Sequence, residues 1–301
     1  MKQIIKSAIV YVAELPSASA LREHLEMSRY VAPMSLQAET LGFEPREDGG
    51  DIVEEFAGGL CFNVRVGQKI LPTSVIREVV ADRVKEITES TGRKPGKKER
   101  SEIKQEVLES LLPLAFVRTT NVPCFYKRGE NYLIIPAPKK LASLVVSELV
   151  QAVGSVKTTT INVADVKGGL TVRMSKWLTN DDMSLPSFDN FSPCGEAVME
   201  REGKKVSVKM DDLADACAAL KEALASQFMV KSLGFLSPAG TCFKLTDEFH
   251  LKGIAVANPD DGEEEMDTSW IGEATLEVAE IGAVLTDLCT MLGYKEEAPE
   301  E

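Results

Sequence analysis

A dense group of cationic side chains near the middle of the chain is the feature best suited to chemistry. It comprises Arg93, Lys94, Lys97, Lys98, Arg100 and Lys104, with Glu99 and Glu102 as the acidic residues among them. Such side chains attract phosphate groups through an electrostatic interaction that is independent of base sequence and sensitive to salt. No aromatic residue lies among them to stack on bases, which favours contact with a nucleic-acid backbone. A lysine-rich turn by itself is more often a solvated surface loop, so the flanking elements must decide.

The net charge of −13 argues against nucleic-acid binding only until the charge is located along the sequence. Residues 65–176 hold 20 basic against 11 acidic residues, whereas residues 256–301 hold 1 basic against 14 acidic residues. The acidic excess therefore belongs to the C-terminal segment, and the central third is strongly basic. A local basic surface is compatible with an acidic protein.

Two helical patterns flank the basic group. Pro72 suits a helix start, and apolar residues follow it at spacings of three and four, which predicts a helix with one buried face. Gly92, Pro95 and Gly96 then interrupt the pattern. It resumes beyond them and continues until Pro113. The segment is therefore predicted to be a helical hairpin with the cations at its turn.

The residues after this hairpin suggest a change of direction. Pro113 lacks a backbone donor and crowds the preceding turn, so residues 114–116 are predicted to bend away from the helix axis. We expect Phe116 to be presented outside the hairpin, with an ordinary core position as the equal alternative.

The remaining sequence mixes short strand-like and helical segments, which predicts an α+β fold with mixed sheets. Strand-like patterns cover residues 4–13, 56–66, 124–127, 132–135, 158–163, 169–174 and 204–210. Helical patterns cover residues 17–30, 140–153, 211–226 and 273–292.

Motifs of enzymatic chemistry are missing from the sequence. It contains no phosphate-binding Gly-x-x-x-x-Gly-Lys loop, no Gly-x-Ser-x-Gly elbow and no His-Glu-x-x-His pair. The six cysteines are scattered singly and only two histidines are present, so a metal site is not expected. Apolar runs fall short of the roughly 18 residues that a membrane span requires. We predict a soluble cytoplasmic protein that is not an enzyme and needs no cofactor.

The segment from Lys69 to Phe116 contains a specific series of short motifs in one order. They are Lys69-Ile70-Leu71-Pro72, Val75-Ile76, the basic turn, Lys104, Glu106-Val107-Leu108, Ser110-Leu111-Leu112-Pro113 and Ala115-Phe116. In these residues the segment resembles the RdgC family of bacterial and phage recombination-associated proteins. Weaker similarity covers Val10-Tyr11, Gly42-Phe43, Gly154-Ser155, Trp177, Lys209, Asp212-Leu213 and a helix before Gly293.

This resemblance implies an elongated, multi-lobed subunit with a protruding helical hairpin, two of which form a ring-shaped homodimer. Such a ring encircles double-stranded DNA without sequence preference and restrains the recombinase RecA by occupying DNA, which implies association with the nucleoid. The implied parts are an N-terminal α+β part of the body (1–68), the basic helical hairpin and tip (69–120), and a C-terminal α+β part with an acidic loop and a terminal helix (121–301).

The basic residues and the resemblance together predict two sets of site residues. The DNA-binding set is Lys69, Arg77, Lys85, Arg93, Lys94, Lys97, Lys98, Arg100, Lys104, Arg118, Lys209 and Lys231. The implied dimer interface is Pro113, Leu114 and Phe116, with Phe116 packing into the other subunit. Leu114 departs from the family pattern, which commonly has arginine at this position.

The alternative hypothesis is a protein–protein interaction module of a phage or mobile element, in which the acidic C-terminal region docks a basic partner or mimics DNA. Deleting residues 258–267 separates the two hypotheses. The alternative predicts that partner binding is lost while DNA affinity stays intact or rises.

Overall fold

The computed structural model of the chain describes residues 3–47, 50–154, 156–160, 169–179, 191–209, 213–257 and 270–292. The chain forms two compact units, a larger one of residues 1–21, 53–62 and 123–301 and a smaller one of residues 22–52 and 63–122. Both units are discontinuous in sequence, because two long strands, Gly59–Ile70 and Phe116–Lys127, each contribute residues to both.

The chain combines helices with runs of antiparallel strands, as in an α+β protein. The strands are β1 (Ser7–Ala13), β2 (Glu39–Glu44), β3 (Val53–Phe56), β4 (Gly59–Ile70), β5 (Phe116–Lys127), β6 (Tyr132–Ile135), β7 (Thr158–Thr160), β8 (Ser192–Arg201), β9 (Lys204–Lys209), β10 (Met229–Leu236), β11 (Cys242–Thr246) and β12 (His250–Ala255). The helices are α1 (Ala18–Met27), α2 (Thr73–Thr91), α3 (Lys97–Leu111), α4 (Lys139–Val153), α5 (Gly169–Thr179), α6 (Leu213–Ala225) and α7 (Trp270–Leu292). A short 3-10 helix, Leu112–Leu114, follows α3.

An antiparallel sheet with the strand order β6-β1-β12-β11-β10-β8-β9 dominates the larger unit. β1 is buried along almost its whole length, which explains why it is a continuous apolar run rather than an alternating one. The strands share one hydrophobic core with α5, α6 and α7, in which Phe235, Leu245 and Leu285 are fully buried. This unit therefore owes its stability mainly to helices packed on a sheet.

Helix α5 shows that one sequence prediction is wrong. Residues 169–174 were expected to be a strand, yet they begin the helix Gly169–Thr179. Leu170, Met174 and Leu178 are buried and lie four residues apart, so they share one face of the helix. A window of six residues is too short to show that period, and a short apolar run fits either structure.

Helix α7 confirms the predicted C-terminal helix and carries a buried carboxylate. Glu277 accepts hydrogen bonds from the backbone N–H groups of Ile4, at 2.8 Å, and Ile5, at 2.7 Å. Two backbone donors that precede β1 are thereby satisfied. Burial raises the pKa of Glu277, although the two N–H groups oppose the shift.

Replacing Glu277 by Gln should remove part of the pH dependence of unfolding. The folded protein holds the Glu277 proton more tightly than the unfolded chain, so this group lowers stability as pH rises from the ordinary carboxyl pKa through the raised one. We expect the free energy of unfolding of the wild type minus that of the variant to decline over this window. Urea unfolding at a series of pH values measures the difference, and a difference that is flat with pH would contradict the assignment.

In the smaller unit, β2 pairs with β4 in antiparallel fashion, and the segment after α1 runs alongside β2. The backbone N–H of Tyr30 donates to the carbonyl of Phe43 at 2.9 Å, and the N–H of Phe43 donates to the carbonyl of Ser28 at 3.0 Å. Arg65 binds both carboxylate oxygens of Glu44, at 3.0 and 2.9 Å, and its guanidinium lies 5.0 Å from the centre of the Tyr30 ring. These contacts tie the segment to the strand pair.

Helices α2 and α3 follow β4 and contact each other. As predicted, α2 begins after Pro72 and ends at Gly92, which takes the left-handed conformation that favours glycine. The predicted buried face of α2 is wrong, because no residue of this fully described helix is buried. In α3, by contrast, Ile103 and Val107 are buried. The apolar residues of α2 face α3, and a single neighbouring helix covers such side chains only in part. Most of them, Ile76, Val79, Val80, Val84 and Ile87, are therefore half-buried.

Candidate nucleic-acid interface

The cationic group lies at the connection between α2 and α3, and residues 92–100 are called the basic turn below. At Gly92 the backbone N–H donates to the carbonyl of Thr88 at 2.9 Å and closes α2. Pro95 is buried, and Gly96 precedes the first residue of α3. The connection between α2 and α3 is therefore an ordered turn in which Pro95 is buried.

Glu99, in the first turn of α3, organises this connection. Its carboxylate accepts two hydrogen bonds from the Arg93 guanidinium, at 2.6 and 2.8 Å, and one from the backbone N–H of Gly96 at 2.8 Å. The guanidinium and the N–H hold the pKa of Glu99 at about 2, so this carboxylate is ionised at neutral pH. A glutamate three residues after a helix start is a known capping pattern, and this spacing from Gly96 was the sequence signal that could have revealed the role of Glu99.

The other cations of the basic turn are exposed. Within the described part of the chain, no side-chain hydrogen bond or ion pair engages Lys94, Lys97, Lys98 or Arg100. Lys97 and Lys98 occupy the first turn of α3, where the helix dipole disfavours positive charge. Helix stability therefore does not explain their presence, whereas attraction of an anion to the start of the helix would.

Two of the predicted DNA-binding lysines are engaged elsewhere. Lys69 donates from its ammonium to the carbonyl oxygens of Met34, at 2.7 Å, and Ser35, at 2.5 Å. Lys231 forms an ion pair with Asp247 at 2.8 Å. Both lysines therefore already serve structural contacts.

The rest of the predicted set is exposed, and all of it except Lys209 belongs to the smaller unit. The smaller unit brings Arg93, Lys94, Lys97, Lys98 and Arg100 into one turn, with Lys104 one helical turn further along α3. Its other exposed predicted residues are Arg77 and Lys85 on α2 and Arg118 on β5. Lys209 ends β9 in the larger unit.

The three residues of the implied dimer interface follow α3 directly. Pro113 lies within the 3-10 helix, and β5 starts at Phe116. Leu114 is 78% exposed and Phe116 is 86% exposed, so neither is a core residue of this subunit. Large apolar side chains in such positions often mark an interaction surface.

A second group of exposed apolar side chains in the smaller unit was not foreseen from the sequence. It comprises Met27, Val31, Met34 and Leu36, in and after the end of α1. The loop that carries Val31, Met34 and Leu36 is held by hydrogen bonds to its backbone carbonyl groups, among them the two that the Lys69 ammonium donates. Periodicity offers no signal here, because an irregular loop has no repeating face.

Features associated with other functions are sparse in the described residues. There, no group of three or more His, Cys, Asp or Glu side chains could hold a metal ion, and no helix is long and apolar enough to cross a membrane. The acidic segment 258–267 lies outside the described residues, as do Ser155, Asp212 and Gly293 of the weaker similarity.

Comparison with known proteins gives one consistent family. The family model described as "Putative exonuclease, RdgC" matches residues 4–295. Relatives named Recombination-associated protein RdgC include one from Bordetella pertussis, 25% identical over 283 residues and covering 91% of each chain. Another, from Pseudomonas fluorescens, is 28% identical over 308 residues and covers 97% of each chain. A third, from Cupriavidus necator, is 32% identical over 121 residues, which are 40% of each chain.

The two descriptions differ in emphasis, since the family model is described as an exonuclease and the relatives are named for recombination. The extent of the match is nevertheless clear. Because it runs over nearly the whole chain, including the basic turn and both units, this protein belongs to the RdgC family of recombination-associated proteins.

Proposed function

We propose that this chain binds double-stranded DNA without sequence preference, as a homodimer that encircles the duplex, and thereby modulates RecA-dependent recombination on the nucleoid. The observation that carries the proposal is the basic turn, where exposed cations without side-chain partners in the described chain stand on a folded connection. Phosphates are the same in every sequence, so such a surface binds duplexes of different sequence alike.

In the proposed assembly the subunit keeps the three parts expected from the sequence: a body (1–68), a protruding hairpin with its tip (69–120) and a C-terminal part (121–301). Exposed apolar side chains support the dimer, because Leu114 and Phe116 lie in water in the single subunit. Burying them against a second copy would remove that apolar surface from water.

Binding to short duplexes of several sequences across a salt series tests the proposal, with the oligomeric mass measured in parallel. We expect a dimer whose affinity falls steeply with salt and differs little between sequences. Binding to one sequence alone, or no binding at low salt, would contradict the proposal. Duplex coated with the protein should also be a poorer substrate for RecA-dependent strand exchange.

Replacing Phe116 by Ala should weaken the dimer. Truncating a large aromatic anchor at an interface commonly costs about 2 kcal/mol or more of association free energy. The dimer dissociation constant, from sedimentation at several concentrations, should therefore rise. Met229→Ala is the matched control, because Met229 is also exposed but lies in the larger unit outside the proposed contact. A dimer that is as tight in the Phe116 variant as in the control would remove Phe116 from the interface.

The proposed role is binding without cleavage, and it can be separated from exonuclease activity. End-labelled duplex incubated with the protein and Mg²⁺ or Mn²⁺ should keep its length, while remaining bound. Progressive shortening from the ends would instead support the activity in the family model's description.

A further inference from the structure

Arg93 differs from the other cations of the basic turn because its charge is already matched. Both of its hydrogen bonds to Glu99 are short, at 2.6 and 2.8 Å, and they form a two-pronged contact with one carboxylate. The same carboxylate receives the N–H of Gly96. One acidic group therefore joins the start of the connection, its last residue and the first turn of α3.

We infer that Arg93 is a positioning residue and not a phosphate ligand, and that the Arg93–Glu99 pair holds the backbone on which Lys94, Lys97, Lys98 and Arg100 meet DNA. The inference rests on the proposed function. A connection that is folded before binding loses less conformational entropy when DNA arrives, so it binds more tightly than a loose loop of the same charge. Pro95, in the same connection, is buried, which also restricts the backbone between Arg93 and Gly96.

Electrostatic repulsion favours the Arg93–Glu99 pair when DNA is present. If Arg93 bound a phosphate instead, the Glu99 carboxylate would lose its cationic partner and would repel the nearby phosphates. In the pair, Glu99 is neutralised and does not oppose the approach of phosphates. An exposed ion pair adds little to stability as a rule, so the expected effect is on DNA binding rather than on folding.

A charge-balanced double variant, Arg93→Gln with Glu99→Gln, tests the inference. It removes one positive and one negative charge, so the net charge of the protein is unchanged. If the pair only contributed charge, affinity for duplex DNA would stay at the wild-type level. Positioning predicts a severalfold loss of affinity, with faster amide hydrogen exchange in peptides that cover residues 92–100. Arg83→Gln with Glu86→Gln is the matched control, because Arg83 and Glu86 form another exposed ion pair, at 2.8 Å on α2.

Two single variants separate positioning from direct contact. Lys94→Gln should reduce the steepness of the salt dependence by about 0.9, the value expected for one lost phosphate contact. Arg93→Gln removes the same charge one residue away and should lower affinity while leaving that steepness unchanged. Equal loss of steepness in both variants would overturn the inference, as would wild-type affinity in the charge-balanced double variant. Absence of duplex binding by the wild type would remove the proposed function and this inference with it.

Discussion

Replacing Lys94, Lys97, Lys98 and Arg100 together by alanine is expected to abolish most binding to duplex DNA, equally for all sequences. Each cation that touches a phosphate contributes about 0.9 to the steepness of the salt dependence, so the variant should show both weaker binding and a much flatter salt response. The fold should survive, because these side chains have no side-chain partner in the described chain. Fluorescence anisotropy with labelled duplexes at several salt concentrations measures both quantities.

A set of four lysines in the larger unit provides the control for this variant. Lys140, Lys157, Lys204 and Lys205 lie in the larger unit, and replacing them by alanine changes the net charge by the same amount. If the electrostatic potential of the whole protein governed DNA binding, both variants would lower the affinity for DNA to the same extent. If the basic turn is the contact surface, the control keeps the wild-type salt dependence. Unchanged affinity in the basic-turn variant would exclude these residues from the site.

Gly42→Ala should strongly destabilise the smaller unit. A Cβ atom at Gly42 would overlap the Cα atom of Tyr30 and lie 2.6 Å from its backbone nitrogen and 2.9 Å from the carbonyl carbon of Arg29. These atoms belong to the backbone that hydrogen-bonds to Phe43, so they cannot move away without breaking those bonds. Overpacking of this kind costs typically about 1–3 kcal/mol, a large share of the roughly 5–15 kcal/mol that stabilises a whole protein.

Gly96→Ala is the matched control for this substitution. Gly96 lies in the same unit and has a φ of −71° that any residue adopts. A Cβ atom there would lie 3.8 Å from its nearest neighbour, the Oε2 atom of Glu99. Urea or thermal unfolding can be monitored with a spectroscopic probe placed in residues 22–52. The unfolding midpoint should be lower for the Gly42 variant and close to the wild-type value for the Gly96 variant. Equal midpoints would mean that the segment at Tyr30 yields easily.

Local signals in the sequence were sufficient for many elements. Pro72 and Gly92 bracket α2, and Gly154 follows the last residue of α4 with a positive φ, because proline favours a helix start and glycine adopts left-handed conformations. The strand-like patterns at residues 124–127 and 132–135 and the long helix α7 were also found, since their patterns are strong and local. The location of the basic group in one turn followed from the same reasoning.

Other features depend on contacts between distant parts of the chain. Whether the apolar side chains of α2 are buried depends on the element that packs against them. The helical spacing of these residues predicts that they share one face, but it does not predict that element. The strand expected at residues 169–174 is a helix because Leu170, Met174 and Leu178 meet the core of the larger unit on one face. No local turn in β2 requires glycine at position 42. Glycine is required there because the backbone of Tyr30 lies so close that a Cβ atom would overlap it.

Sequence order was enough to predict that cations concentrate in a turn between two helices and that the chain resembles the RdgC family, because charge, helix ends and motifs are properties of neighbouring residues. The cations that remain available for binding could be identified only from the folded chain. It pairs Arg93 with Glu99, engages Lys69 with the loop at Met34 and leaves Phe116 exposed. Hydrogen bonds and burial are set by which side chains the folded backbone brings within a few ångströms, and that distance has no counterpart in sequence order.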